Sequence, residues 1–199
     1  MGSSLANTTL AGTPPLTTLL GGDTVTVTEA KGAARLALLY FVSPAQINFV
    51  MPAGTASGPA TITVAEASGP VFVAAITASP TDPGVFFVTA GGQNLVQAVV
   101  FDQPQPGGAP LIRYTTTCSS SSCSANPVVL NGTDKVYLEL FGTGIQGTPA
   151  GSVSATINGV NVPVTFAGWS QQFPGVDQVN VGPLPSSLWA RARSTWCWR

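Results

Sequence analysis

Side chains with a period of two constrain this chain more than anything else in it. Short runs such as Thr24-Val25-Thr26-Val27-Thr28 and Ala60-Thr61-Ile62-Thr63-Val64 alternate apolar residues with Thr. Successive side chains of an extended strand point to opposite faces, so a run of this kind buries one face and wets the other. Comparable runs follow at Phe72 to Ile76, Leu95 to Phe101, Lys135 to Phe141, Val153 to Ile157 and Val162 to Phe166, bounded by Gly, Pro, Asn and Ser. No stretch sustains a helical period, which excludes parallel α/β architectures. The chain is expected to be all-β.

Turn residues fall between these runs. Asn158-Gly159 lies between Ala155-Thr156-Ile157 and Val160 to Phe166, and both residues accept the positive φ angles of a tight hairpin turn. Glu29-Ala30-Lys31-Gly32 occupies the matching place after the first strand. The match grows into an internal repeat. Thr24 to Phe49 reads strand, turn, strand, then Gln46-Ile47-Asn48-Phe49, and Val153 to Val181 reads strand, turn, strand, then Gln178-Val179-Asn180-Val181. A proline-marked turn follows each copy, at Pro52 and Pro183. Two copies of one pattern predict two tandem immunoglobulin-like β-sandwich domains. The boundary is placed in Ser79-Pro80-Thr81-Asp82-Pro83-Gly84, giving residues 1–80 and 81–199. Asp102 to Pro127, rich in Pro, Gly and Ser, reads as a surface excursion of the second domain.

Four segments resemble a known family. Tyr40-Phe41-Val42-Ser43-Pro44-Ala45-Gln46-Ile47-Asn48-Phe49, Pro52-Ala53-Gly54-Thr55, Phe141-Gly142-Thr143-Gly144-Ile145 and Asp177-Gln178-Val179-Asn180-Val181 are similar to the C-terminal module of large secreted proteins from Acidobacteria, the Solibacter uncharacterised C-terminal domain family. The likeness runs from about Ser3 to Leu188. It implies an exported β-sandwich module at the end of longer proteins, with no established activity and no catalytic residues to carry over. The family continues upstream of a Phe-Gly-Ser-x-Leu-Ala motif with a further strand, whereas Gly2-Ser3-Ser4-Leu5-Ala6 follows Met1 directly. The first sandwich is therefore expected to lack its N-terminal strand. The end also departs: residues 189–199 gather three Trp, a Cys and three Arg. In a neighbouring frame a GC-rich message for this tail spells an alternating strand like the family's next one, so a frameshift is expected there, and resequencing the source DNA decides it. The alternative is an authentic Trp- and Arg-rich anchor for a membrane or an anion.

Charge narrows the function classes. With 44% hydrophobic and only 8% charged residues, the chain is too apolar to be disordered. A net charge of −1 without a basic cluster excludes the electrostatic footprint of a nucleic-acid binder. Without the tail, Lys31, Arg35, Arg113 and Lys135 face eight acidic residues, a balance of −4. No apolar run reaches the roughly 20 residues of a membrane span, and no export signal is visible in the first residues.

The absence of histidine removes the commonest general base and with it Ser-His-Asp and Cys-His machinery. The eight carboxylates are scattered singly, without the paired arrangement that glycosidases use. Gly142-Thr143-Gly144 lacks the Lys-Ser/Thr ending of a phosphate loop and reads as glycines that free a strand end. No Asp-x-Asp series suggests calcium, and zinc lacks ligands. We expect no enzyme activity, no cofactor and no metal.

The candidate site residues are few. Cys118 and Cys123 flank four serines and form either a local disulfide, in an oxidising compartment, or a pair of free thiols. Gln46, Asn48, Gln178 and Asn180 lie on the face opposite their apolar neighbours, where they pair structurally or meet sugar hydroxyls. Trp169, Phe173 and Tyr114 are the aromatic candidates for ligand contact. The expected partner is a protein or polysaccharide surface, outside the cell or on its surface. Self-association through open sheet edges is the further expectation.

Overall fold

The computed structural model describes residues 4–148 and 151–191, the last three by backbone alone. Met1, Gly2 and Ser3 at the start, and residues 192–199 of the suspected tail, lie outside the described residues. The chain is all-β, with every strand pairing antiparallel and one short 3-10 segment at Ser186–Arg191. It divides into two compact units, Met1–Pro80 with Gln171–Gly175, and Thr81–Ser170 with Val176–Arg199.

The first unit contains two sheets. One, in the order β3-β2-β6-β7, comprises β2 (Thr24–Glu29), β3 (Ala34–Leu36), β6 (Gly58–Glu66) and β7 (Gly69–Ala78). The other, β1-β4-β5, comprises β1 (Leu10–Ala11), β4 (Leu38–Val42) and β5 (Ile47–Val50). Val25 and Val64 from the first sheet and Leu39 and Val42 from the second meet in one core, with Ile47 and Phe49 packed against it. The alternation seen in the sequence is the cause: Val25 and Val27 are buried, and Thr24, Thr26 and Thr28 are not.

The second unit is organised around β15 (Lys135–Thr143). Its main sheet runs β12-β11-β15-β19-β18, where β11 is Ala98–Gln103, β12 Leu111–Tyr114, β18 Val164–Trp169 and β19 Asp177–Val181. A short strand β8 (Gly84–Val85) pairs with the end of β15. Three hairpins complete the unit: β9 (Phe87–Ala90) with β10 (Gln93–Val96), β13 (Thr116–Cys118) with β14 (Cys123–Ala125), and β16 (Ala155–Ile157) with β17 (Val160–Val162). Val136, Leu138 and Leu140 occupy the inward phase of β15 and meet Val100, Val179, Ile157 and Val162 in the core. Each such side chain contributes about 1.5–3 kcal/mol by leaving water.

Two expected strands are cut in two. Leu95 to Phe101 breaks at Gln97, whose N–H donates to the Phe86 carbonyl at 2.9 Å and whose amide donates to Thr116 Oγ1 at 2.9 Å. The break lets the chain change partners, so β10 pairs with β9 while β11 pairs with β12 and β15. Val162 to Phe166 breaks at Pro163, which has no N–H to give a ladder. The Asn158-Gly159 turn has φ of 49° and 76°, the left-handed pair that a two-residue hairpin requires. Asp102 to Pro127 is less irregular than its composition suggests, since it holds β12, β13 and β14.

Two glycines fasten β8. A Cβ on Gly142 would collide with the Gly84 carbonyl, and one on Gly144, whose φ is 73°, with the Asp82 carbonyl. The Gly142-Thr143-Gly144 sequence thus serves close backbone approach.

The loop leaving β15 is held by Asp177, whose buried Oδ2 accepts the Ile145 N–H at 2.6 Å and the Gln146 N–H at 3.0 Å. Asp177→Ala leaves both donors without this partner and is expected to cost about 2–3 kcal/mol. Urea unfolding followed by tryptophan fluorescence checks this, and an unchanged midpoint would contradict it.

Candidate functional site

The β11–β12 hairpin builds the most chemically varied surface. In its register Val100 faces Arg113 and Asp102 faces Leu111, so Asp102 and Arg113 are diagonal neighbours. Asp102 is buried, and its Oδ2 accepts the Arg113 guanidinium, whose side chain is half exposed. The other oxygen, Oδ1, is buried without a hydrogen-bond partner. Beside this ion pair lies a depression of roughly 280 Å³ lined by Val100, Arg113, Tyr114, Asn126, Pro127 and Val128. Asn126 closes one wall by donating its amide to the Tyr114 carbonyl at 3.0 Å and to Thr117 Oγ1 at 2.7 Å. The result is an apolar hollow with Arg113 and the 62% exposed Tyr114 among the residues that line it.

Two of the three aromatic candidates stand at opposite edges of the main sheet. Tyr114 ends β12 at one edge of the main sheet, and Trp169 ends β18 at the other. Three strands lie between them, so the edges stand about 19 Å apart at the usual strand spacing. Phe173 belongs to the other unit, within Gln171–Gly175. Each of the three is exposed.

The remaining candidates have local partners. Cys118 and Cys123 are opposed in the β13–β14 hairpin and joined by a disulfide. The amide of Gln46 donates to Asn48 Oδ1 at 2.6 Å, and that of Gln178 to Asn180 Oδ1 at 2.9 Å. Each repeat copy thus turns its two amides on each other, the first exposed and the second partly buried. In the second unit Glu139 of β15 lies opposite Asn180. Burial raises its carboxyl above the ordinary value, and a hydrogen bond with Gln178 partly opposes the rise.

Sequence reasoning missed the Asp102–Arg113 pair and the capping role of Asp177. The signal for the first was present: in a chain so poor in charge, opposite charges flanked the Pro-Gly-rich turn of a hairpin. Asp177 was visible only as part of the repeat motif. Among the described residues no three His, Cys, Asp or Glu side chains gather as a metal site. No described helix is long and apolar enough to cross a membrane.

No family model matches the chain, and neither a curated protein nor a solved structure matches it.

Asp23 is a buried carboxyl that makes stability depend on pH. It is 1% accessible, its Oδ2 has no hydrogen-bond partner, and burial followed by the charge of Glu66 raises its pKa. A raised carboxyl favours the folded state below the unfolded value near 3.8, and that advantage is lost as pH rises through the folded value. Asp23→Asn is therefore expected to flatten the fall in stability as pH rises above the unfolded value near 3.8. Thermal melts across that rise check it; parallel curves for both proteins would refute the assignment.

Proposed function

We propose that the chain is a non-catalytic interaction and structural module of an exported protein, built from two tandem immunoglobulin-like sandwiches. Support for the sandwich reading comes from the repeated order of strand, turn, strand and Gln-x-Asn strand in the two units. The resemblance to the C-terminal module of secreted acidobacterial proteins supports the same reading, with the chain outside the cell or on its surface. A local disulfide suits that compartment. The lack of any histidine in the sequence supports a role without bond-making chemistry.

One observation carries the interaction reading: the edge strands β7 and β12 carry exposed apolar side chains. Gly69–Ala78 contains no charge and exposes Phe72 and Val73, while Leu111–Tyr114 exposes Leu111, Ile112 and Tyr114. Pro70 and the bulge beside it guard only the start of β7, and Arg113 is the one charge on β12, so the apolar remainder of each edge marks a surface meant to meet something. The partner is a protein or polysaccharide surface, or another copy in a filament or surface layer. Sedimentation velocity over a concentration series tests the last case. Val73→Lys and Ile112→Lys are expected to reduce association together, and a monomer at every concentration for wild type would remove these edges as a self-association surface.

A carbohydrate-binding reading has its own observation, the hollow beside Tyr114. An exposed tyrosine among the residues of an apolar depression suits a sugar, with Arg113 as a donor for its hydroxyls. Affinity electrophoresis against a panel of polysaccharides is expected to show lost retardation in Tyr114→Ala. Unchanged mobility in Tyr114→Ala, Trp169→Ala and Phe173→Ala alike would eliminate it.

A further inference from the structure

A bulge sets one aromatic ring on the outer face of the main sheet. β18 pairs with β19 through Val164 and Val181, and the register then shifts at Thr165 so that Phe166 lies opposite Asn180. Without the shift Phe166 would lie opposite Val179, on the core side. Bulges re-aim side chains in this way. The first unit repeats this much, with Tyr40 as the bulge and Phe41 opposite Asn48. In the second unit the line continues across the sheet. Asn180 lies opposite Glu139 of β15, Glu139 opposite Val99 of β11, and Val99 opposite Tyr114 of β12. Directly opposed residues share a face, so one row reads Phe166, Asn180, Glu139, Val99, Tyr114. It crosses five strands, about 19 Å at the usual spacing.

A ring stands at each end of the row, Phe166 at 42% exposure and Tyr114 at 62%. The Phe166 ring reaches along its strand over Gly168, with Cζ 3.6 Å from where a Cβ there would stand. Polar groups fill the middle, and all of them are partly exposed. Glu139 is hydrogen-bonded by Gln178, whose amide also donates to Asn180 Oδ1 at 2.9 Å. The N–H groups of the Asn180 amide and the remaining lone pairs of Glu139 have no partner among the described residues. Free donors and free acceptors therefore stand side by side between two rings.

We propose that this row binds an extended, uncharged polysaccharide, several sugars of which lie across the sheet from Phe166 to Tyr114. A sugar hydroxyl both donates and accepts, so two adjacent hydroxyls match an acceptor at Glu139 beside a donor at Asn180. The C–H faces of the outer sugars rest on the two rings. Glu139 is the only charge in the row, so uronates and sulfated sugars are repelled. This site rests on the carbohydrate-binding reading but occupies the outer face of the sheet, whereas Val100 and Arg113 of the hollow lie on the other face.

Cellohexaose, mannohexaose and xylohexaose, each a straight uncharged oligomer, are the probes, titrated into the full chain by calorimetry. Saturable binding of at least one is expected, with a shift of the Asn180 side-chain amide signals in magnetic resonance spectra. The corresponding galacturonate hexamer is expected not to bind. Phe166→Ala is expected to weaken binding about fivefold through the lost ring contact, while Phe166→Tyr retains it. Glu139→Gln is expected to weaken it about threefold by replacing a charged acceptor with a neutral one. Binding of none of the three oligomers, or equal binding of the galacturonate, would overturn the proposal. Binding that Tyr114→Ala abolishes and that Phe166→Ala and Glu139→Gln leave unchanged would place the sugar in the hollow. The row would then be refuted while the carbohydrate reading stands.

Discussion

Everything in both units depends on which phase of each strand points inward. In β15 that phase is Val136, Leu138 and Leu140, whose burial sums to a sizeable part of the roughly 5–15 kcal/mol that holds a domain folded. A slip of one residue would turn all three to water and bring Lys135, Tyr137 and Glu139 inward, so the register has a single acceptable value. Asp102 and Asp177 extend the inward phases of β11 and β19 to their ends, where a carboxylate finds an arginine or two backbone amides. Polar groups thus bound the core at the places where the strands stop.

Both units solve the same local problem alike. A strand that leaves one sheet for another must stop its ladder for a residue, and this happens at Ala37 between β3 and β4 and at Pro163 between β17 and β18. The bulges at Tyr40 and Thr165 then follow, and the paired amides come after them. Repetition at this level of detail separates what the fold requires from what one copy adds. The additions of the second unit are the β9–β10 hairpin, the β11–β12 edge and the disulfide hairpin, which supply its chemically varied surface.

Much of this was legible because local physics wrote it. Thr24 to Thr28 and Lys135 to Phe141 alternate, and Asn158-Gly159 allows only a narrow set of backbone angles. The break at Gln97 was not legible, since Leu95 to Phe101 is an unbroken β-like run and only distant acceptors at Phe86 and Thr116 divide it. β12 was hidden inside a stretch whose Pro, Gly and Ser content reads as loop. The separation of Tyr114 from Trp169 depends on sheet order, which no pattern along the chain encodes. The partnership of Asp177 with Ile145 and Gln146 spans more than thirty residues and has the same limitation.

The glycines at 142 and 144 give the second unit an unusual kind of fastening. Asp82 and Gly84 sit where they do because hydrogen atoms, and nothing larger, stand beneath their carbonyls. The segment just past Pro80 is therefore secured by missing bulk as much as by the two register pairs of β8. Such a seam tolerates no side chain, however conservative, at either glycine. The mutational freedom of this stretch is set by volume, so the most inconspicuous residues of the motif are the least replaceable.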